Sequence, residues 1–492
     1  MKIFINSLVI VTALILMPIN AYSKEKPGSR HQKSRLELKP DKIICHGKEY
    51  DGMRGTLYVP QDRTKPNSIT IELPVVVIKS LNPDPDYAIF QFGGGPGLSN
   101  ISPGEHVNES DLENHDVVEV GYRGVDGTPS LRHPLLDDIF MTPNMLSVSS
   151  LKTIGKNVTQ AVKELKENGI DVAEYNILNV VDDTEAVRKA LGYKKINITG
   201  GSYGGAVVMV YCLRYPERIN RAIMIEAAFP YDIAFGKPEG FDARLKHLNE
   251  LWRKDANAVK RSPNIVKTMR NVIKNMPDKW NGIPIDPSKV RFMAYFGITS
   301  ERSYANMIFD AFVSAENGDF TNIALMSMIY DQLIMKMGNN GDLIAKTYSS
   351  VTDPERDFIS ELEDPSSVIG SPLSLMAWGS FQYSDWPVKR VVSEHPLTQK
   401  CKVETLIIYG SKETGEPFRK KYADTFTKAR WVIFDDLGHN DIWTIAGRGI
   451  HHLMLSFLNA GVVDKSKMGE LPKWNFTPEF TFQQMFEQMQ GK

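Results

Sequence analysis

Apolar positions along the chain fall into two patterns. Short continuous runs at 87–92, 117–120, 196–199, 222–225, 404–409 and 431–434 fit strands covered on both faces, as in a parallel sheet. Two more strand-like runs, Gly55–Val59 and Ile69–Ile78, precede them, separated by a turn rich in Pro, Asp, Asn and Ser. No element is predicted in the polar stretch 24–40. Helical spacing appears between strands: Ala186, Val187, Ala190 and Leu191 share one face, and Gly192 stops the helix. Strands alternating with helices predict an α/β architecture, a mostly parallel central sheet with helices on both faces.

From about 230 to 395 the alternation gives way to helical patterning. Phe241, Leu245, Leu248 and Trp252 form one apolar stripe, and the region is rich in Met and aromatic residues. Sheet strands flank it, so it reads as a helical cap inserted into the sheet. The expected organisation is a signal peptide at 1–23, a core at 24–230 and 395–465, a cap at 231–394 and a C-terminal tail at 466–492.

The signal peptide is expected from Lys2, the apolar run Ile3–Ile19 and the small residues of Ala21-Tyr22-Ser23 before a polar return. This points to a secreted or periplasmic chain without stable membrane association after cleavage. A formal charge of −1 over 492 residues implies no attraction to nucleic acid. The three cysteines, Cys45, Cys212 and Cys401, leave at least one thiol unpaired in a monomer. Cys212 lies in an apolar run and reads as a buried free thiol, while Cys45 and Cys401 are open to pairing.

Gly200-Gly201-Ser202-Tyr203-Gly204 is a G-x-S-x-G sequence between a predicted strand and the apolar helix Gly205–Leu213. That context puts Ser202 on a sharp strand-to-helix turn as a nucleophile, the arrangement of the α/β-hydrolase fold. A serine needs a base, and in this fold the order is serine, acid, histidine. His439, in a loop after the last strand, is the expected base, ahead of His451 and His452 in a helical stretch. Glu413, in the loop after 404–409, is the expected acid; Glu416, Glu226 and Asp436 are its rivals. Backbone N–H donors for an oxyanion are expected from Tyr203 and from Gly94 or Gly95 in Gly93-Gly94-Gly95-Pro96-Gly97. These glycines match neither a dinucleotide fingerprint nor a P-loop, and no metal-ligand spacing occurs, so no cofactor is expected.

Four segments resemble the proline iminopeptidase and tripeptidyl aminopeptidase branch of the α/β hydrolases. They are Gly55–Asp62 (GTLYVPQD), the Gly93–Gly97 loop, Tyr122–Gly127 (YRGVDG), and Gly200–Gly205 followed by Tyr215–Arg218 (YPER). The chain departs from the branch at Gly93, where histidine is frequent, and at Glu413, where aspartate is usual. Tyr203 in place of tryptophan leans toward the tripeptidyl side. The resemblance implies a serine aminopeptidase acting on short peptides. Cap carboxylates would then bind the substrate ammonium group, with Asp310, Glu316 and Asp319 as candidates. The alternatives are a carboxylesterase or lipase-like hydrolase of small esters, and a catalytically silent binding protein on the same scaffold.

Overall fold

The computed structural model describes residues 34–334, 338–412 and 424–489. The expected signal peptide lies outside them. Nine strands form the main sheet: β1 (Arg35–Cys45), β2 (Lys48–Pro60), β3 (Thr70–Ile78), β4 (Ile89–Phe92), β5 (Val117–Val120), β6 (Ile196–Gly201), β7 (Ile219–Ile225), β10 (Glu404–Gly410) and β11 (Ala429–Phe434). A separate hairpin pairs β8 (Lys279–Trp280) with β9 (Ile283–Pro284). The order across the main sheet is β1-β2-β3-β5-β4-β6-β7-β10-β11. From β5 to β11 all neighbours are parallel, whereas β1, β2, β3 and β5 pair antiparallel in succession. This is the α/β-hydrolase fold expected from the sequence.

Alternate residues of each parallel strand face opposite layers, as strand geometry demands. Ala222, Met224, Ile407 and Tyr409 join the layer that holds the helices Ile177–Ala190 and Tyr203–Arg214. Ile223, Ile225, Leu406 and Ile408 face the helix Asp441–Ala460 with Ile442, Ile450, Leu453 and Phe457. Both layers are apolar, which is why these strands read as continuous hydrophobic runs.

β1 begins within the polar stretch 24–40, where the sequence pattern did not predict an element. β1 pairs with β2 along its whole length, from Arg35 opposite Tyr58 to Cys45 opposite Lys48. The chain reverses through His46 and Gly47, both at positive φ. Many residues of β1 are exposed, as expected of an edge strand.

Between β7 and β10 the described elements are helices, apart from the β8–β9 hairpin. In this insertion the helix Asn340–Ser349 carries Asp342 and Lys346, both fully buried and 2.6 Å apart. Residues beyond Ala460 return to the inserted helices. Phe476 packs against Trp252 and Phe309, and the Asn306 amide donates to the Asn475 carbonyl. The described residues contain no helix long and apolar enough to cross a membrane.

Candidate active site

In parallel sheets, ligand crevices open at the carboxyl ends of the strands where the strand order reverses. Here the chain passes from β4 outward to β5 and then returns to the other side of β4 to form β6. The switch lies between β4 and β6, and these two strands lead into Gly93–Gly97 and Ser202. Phe92 pairs with Gly200 across it.

Ser202 has φ +52° and ψ −121°, strained for a residue with a side chain. Its N–H donates to the Ile225 carbonyl at 2.9 Å, and its carbonyl accepts from Gly205 and Ala228. The flanking glycines are dictated by close approach. A Cβ on Gly204 would stand 2.0 Å from the Phe92 carbonyl oxygen, and one on Gly200 would stand 2.4 Å from Gly204. The turn thus holds a half-buried hydroxyl at the head of the helix Tyr203–Arg214.

The glycine loop lies directly against this hydroxyl. A Cβ on Gly94 would be 3.0 Å from Ser202 Cβ and 3.6 Å from Oγ. Tyr203 opens the helix, where the first N–H groups have no intrahelical acceptor. Gly94 and Tyr203 therefore both bring backbone to Ser202. Gly95, at φ +78°, turns the loop. The loop is clamped from both sides. Asn100 Oδ1 accepts from Gly93 N–H at 2.6 Å, and Asp342 Oδ2 accepts from Gly97 N–H at 3.0 Å. Asn339 N–H donates to the Gly97 carbonyl at 2.8 Å. The Tyr122–Gly127 segment is structural: Arg123 makes a buried two-pronged bond to Asp183, and Asp126 accepts from Ser99, Asn100 and Tyr122. Burial opposes ionisation of Asp183, yet Arg123 and Arg63 hold its carboxyl below the usual range.

His439 is half-buried in the loop after β11, with its N–H donating to the Thr299 carbonyl at 3.2 Å. Asn440 N–H donates to the Ser300 carbonyl at 2.7 Å. Asp441 accepts from Gly438 N–H and from Arg302 N–H, strapping the His439 loop to the insertion. His451 pairs with Ser110 and Asp111, and His452 with Asp464, both away from this loop.

Glu413 and its rival Glu416 lie outside the described residues. The residue before Glu413 does not: Lys412 N–H donates to the Leu437 carbonyl at 3.2 Å, two residues short of His439. The Lys412 ammonium is buried and sits 3.0 Å over the Trp474 ring. Burial, with Arg302 and Arg244 nearby, pushes it well below the usual lysine range, against the pull of Asp441 and Asp436. Glu226 follows β7 at φ +45°, is 2% exposed, and accepts the Gly410 N–H. Asp436 accepts from His247.

The three cap carboxylates proposed from sequence have other partners. Asp310 accepts from Arg261 at 2.6 Å. Glu316 is exposed and accepts from Asn271, and exposed Asp319 accepts from Thr321 N–H. Two neighbours of the site carry no sequence signal. Glu301 follows the Ser300 carbonyl that holds the His439 loop; its Oε1 accepts from Ser303, while its Oε2 is enclosed with no hydrogen-bond partner. Burial raises its carboxyl above the usual range, helped by Asp441 and Glu479. Trp443, 46% exposed, stands beside Gly201. Among the described residues, the carboxylates grouped closely enough to hold a cation are Asp62, Asp171 and Glu174. They are already paired with Lys65 and Lys389.

Residues 92–284 match the family described as alpha/beta hydrolase fold. A 2-hydroxymuconate semialdehyde hydrolase from Pseudomonas sp. (strain CF600) is 32% identical over 96 residues. That match covers 18% of this chain and 33% of the relative, so the chain spans about a third of that relative's length. Among solved structures, an esterase from Exiguobacterium antarcticum is similar at 13% identity and a TM-score of 0.35, covering 82% of this chain and 99% of that one. A hydrolase from Pseudomonas aeruginosa PA01 is similar at 13% identity and a TM-score of 0.34, covering 82% and 98%.

Proposed function

We propose that this chain, an α/β hydrolase by fold, is an exported serine peptidase that releases residues from the free N-termini of short peptides. Acyl transfer through Ser202 rests on one observation above the others: the strained Ser202 turn, with the Gly94 backbone packed against its side chain. In this reading Ser202 Oγ attacks the peptide carbonyl while His439 takes the hydroxyl proton. The N–H groups of Tyr203 and of Gly94 or Gly95 stabilise the oxyanion. His439 protonates the leaving amine, then activates water to release the acyl group. Glu413 orients His439 and stabilises its cation.

The peptidase class is supported by the four sequence segments and by the Glu301 carboxylate, its Oε2 enclosed, next to the Ser300 carbonyl that holds the His439 loop. Glu301 suits a substrate ammonium better than Asp310, Glu316 or Asp319, because a carboxylate oxygen enclosed without a partner gains most from a charged donor. Export is supported by the pattern of residues 1–23. Ester hydrolysis is the second reading, favoured by the half-exposed Trp443 indole beside Gly201, an apolar surface suited to an acyl chain.

A fluorophosphonate probe followed by peptide mapping tests the nucleophile. Ser202 is expected to carry the label, and Ser202→Ala is expected to stay folded and lose hydrolysis of peptides and esters alike. A label on another serine, or turnover by Ser202→Ala well above background, would overturn the assignment.

A further inference from the structure

All three cysteines are buried, but they are not equivalent. Cys45 belongs to the layer facing the helix Asp441–Ala460. Cys212 and Cys401 share the opposite layer. Cys212 lies near the end of the helix that Ser202 begins, and Cys401 precedes β10. They are 189 positions apart in sequence, with the whole insertion between them.

Their segments are held in register from several directions. The Cys401 thiol donates to the Cys212 carbonyl oxygen, with Sγ 3.5 Å from it. The adjoining residue, Leu213, accepts from the Gln399 amide at 2.9 Å, and Arg214 pairs with Glu394. The backbone of Cys401 is fixed as well, its N–H donating to Thr425 and its carbonyl accepting from Thr427.

We propose that Cys212 and Cys401 are an oxidation site: they close to a disulfide when the chain folds in the presence of a disulfide oxidant. The step is thiol–disulfide exchange. One thiolate attacks the oxidant's S–S bond and releases one thiol. The second thiolate displaces the mixed disulfide and releases the other. The protein loses two protons and two electrons, and the oxidant is reduced to two thiols. In the folded chain the Cys212 side chain lowers the Cys401 thiol below the usual range, whereas burial raises Cys212 well above it. Relative exposures of 0% and 2% close the pair to an oxidant once the core has packed, so the bond forms during folding. Once formed, it ties the Ser202 helix to the strand that leads into Glu413. The proposal is independent of the substrate.

The test is to refold the full chain with a reduced and oxidised glutathione mixture, and separately with reductant alone. Each sample is unfolded in N-ethylmaleimide and mapped by mass spectrometry without reduction. The expected result is a Cys212–Cys401 linked peptide with Cys45 alkylated in the first sample, and three alkylated cysteines in the second. The oxidised form should also melt at least about 3 °C higher, a difference removed by reductant and absent in Cys401→Ala but kept in Cys45→Ala. Three alkylated cysteines after oxidative refolding, or a bond that includes Cys45, would overturn the proposal, and this readout needs no variant to fold.

Discussion

The Glu226 carboxylate accepts the backbone N–H of Gly410, joining the exit of β7 to the exit of β10 beneath the His439 loop. A Cβ on Gly410 would fall 2.2 Å from the Leu437 carbonyl oxygen and 2.9 Å from Glu226 Oε1, so three chain segments meet at one point. Glu226 therefore has a structural task that glutamine can also perform, since an amide oxygen accepts an N–H.

That relation separates the two acid candidates. Glu413→Gln should lower kcat by about a thousandfold or more, because a neutral amide cannot stabilise the imidazolium or enforce its tautomer. Glu226→Gln should retain most of kcat, while Glu226→Ala should lower the melting temperature by leaving Gly410 N–H without its acceptor. Steady-state kinetics of the three variants decide the matter. If Glu226→Gln proves the more damaging of the two glutamine variants, the acid is the one after β7.

The parts of the site legible in sequence were those fixed by local backbone demands. Ser202 announced itself because the glycines around it are required by contacts with Phe92 and with one another within the turn. His439 followed from chain order and from its place in the loop after β11. The rest depends on contacts between distant segments. Asp342 and Asn339 lie over 240 positions from the Gly97 they hold, and nothing in their spacing marks them. Glu301 likewise gains its setting from the fold of the His439 loop. β1 was hidden because Pro40 and Asp41 interrupt the short alternation of Leu36 and Leu38 with Glu37 and Lys39, and residues 39–42 are exposed. Within the segment 466–492, read as a tail, Trp474, Phe476 and Phe482 pack against the core, aromatics too sparse to form a pattern of their own.

The Asp342–Lys346 pair should matter to both stability and rate. Burial drives the Asp342 carboxyl up and the Lys346 amine down, and their mutual attraction opposes both shifts. Asp342→Ala strands a buried ammonium and frees Gly97 N–H, so unfolding free energy should fall by about 3–5 kcal/mol. Lys346→Met with Asp342→Asn should cost less than the two single changes added together. Urea melts measure the coupling, and strict additivity would show that the two residues act separately.

Acid should weaken the fold through His395. Burial lowers its imidazole below the reference 6.5, and Arg214 adds to this, while the Gln399 hydrogen bond, Glu394 and Asp182 pull the other way. The unfolded chain thus binds a proton that the folded chain resists. The contribution is fully present above the unfolded value and is lost as pH falls through it toward the lower folded value. Melting temperatures between about pH 7 and pH 5 should drop more steeply for the wild-type chain than for His395→Gln. Parallel curves would remove His395 as the cause.

The peptidase reading stands or falls on the substrate's amino terminus. If a carboxylate such as Glu301 binds the ammonium group, acetylating the peptide removes a charge-assisted contact and leaves that carboxylate unpaired. Such a contact is worth about 1.5–3 kcal/mol, and about 1.4 kcal/mol is tenfold in rate, so kcat/KM should fall at least about tenfold. Glu301→Gln should reduce the preference for the free peptide while leaving turnover of the acetylated one nearly unchanged, because the variant loses a charge that only the free peptide uses. Esters have no ammonium group and should be poorer substrates than free peptides. The measurement is a matched pair of chromogenic peptides, free and acetylated, beside a short-chain ester. Equal rates on the peptide pair would sink the aminopeptidase reading, and faster turnover of the ester than of any peptide would favour the esterase. A preference that survives Glu301→Gln would move the ammonium site to another carboxylate. The Ser202 and His439 assignments would stand in every case, because they depend on the turn and the chain order and not on what the insertion binds.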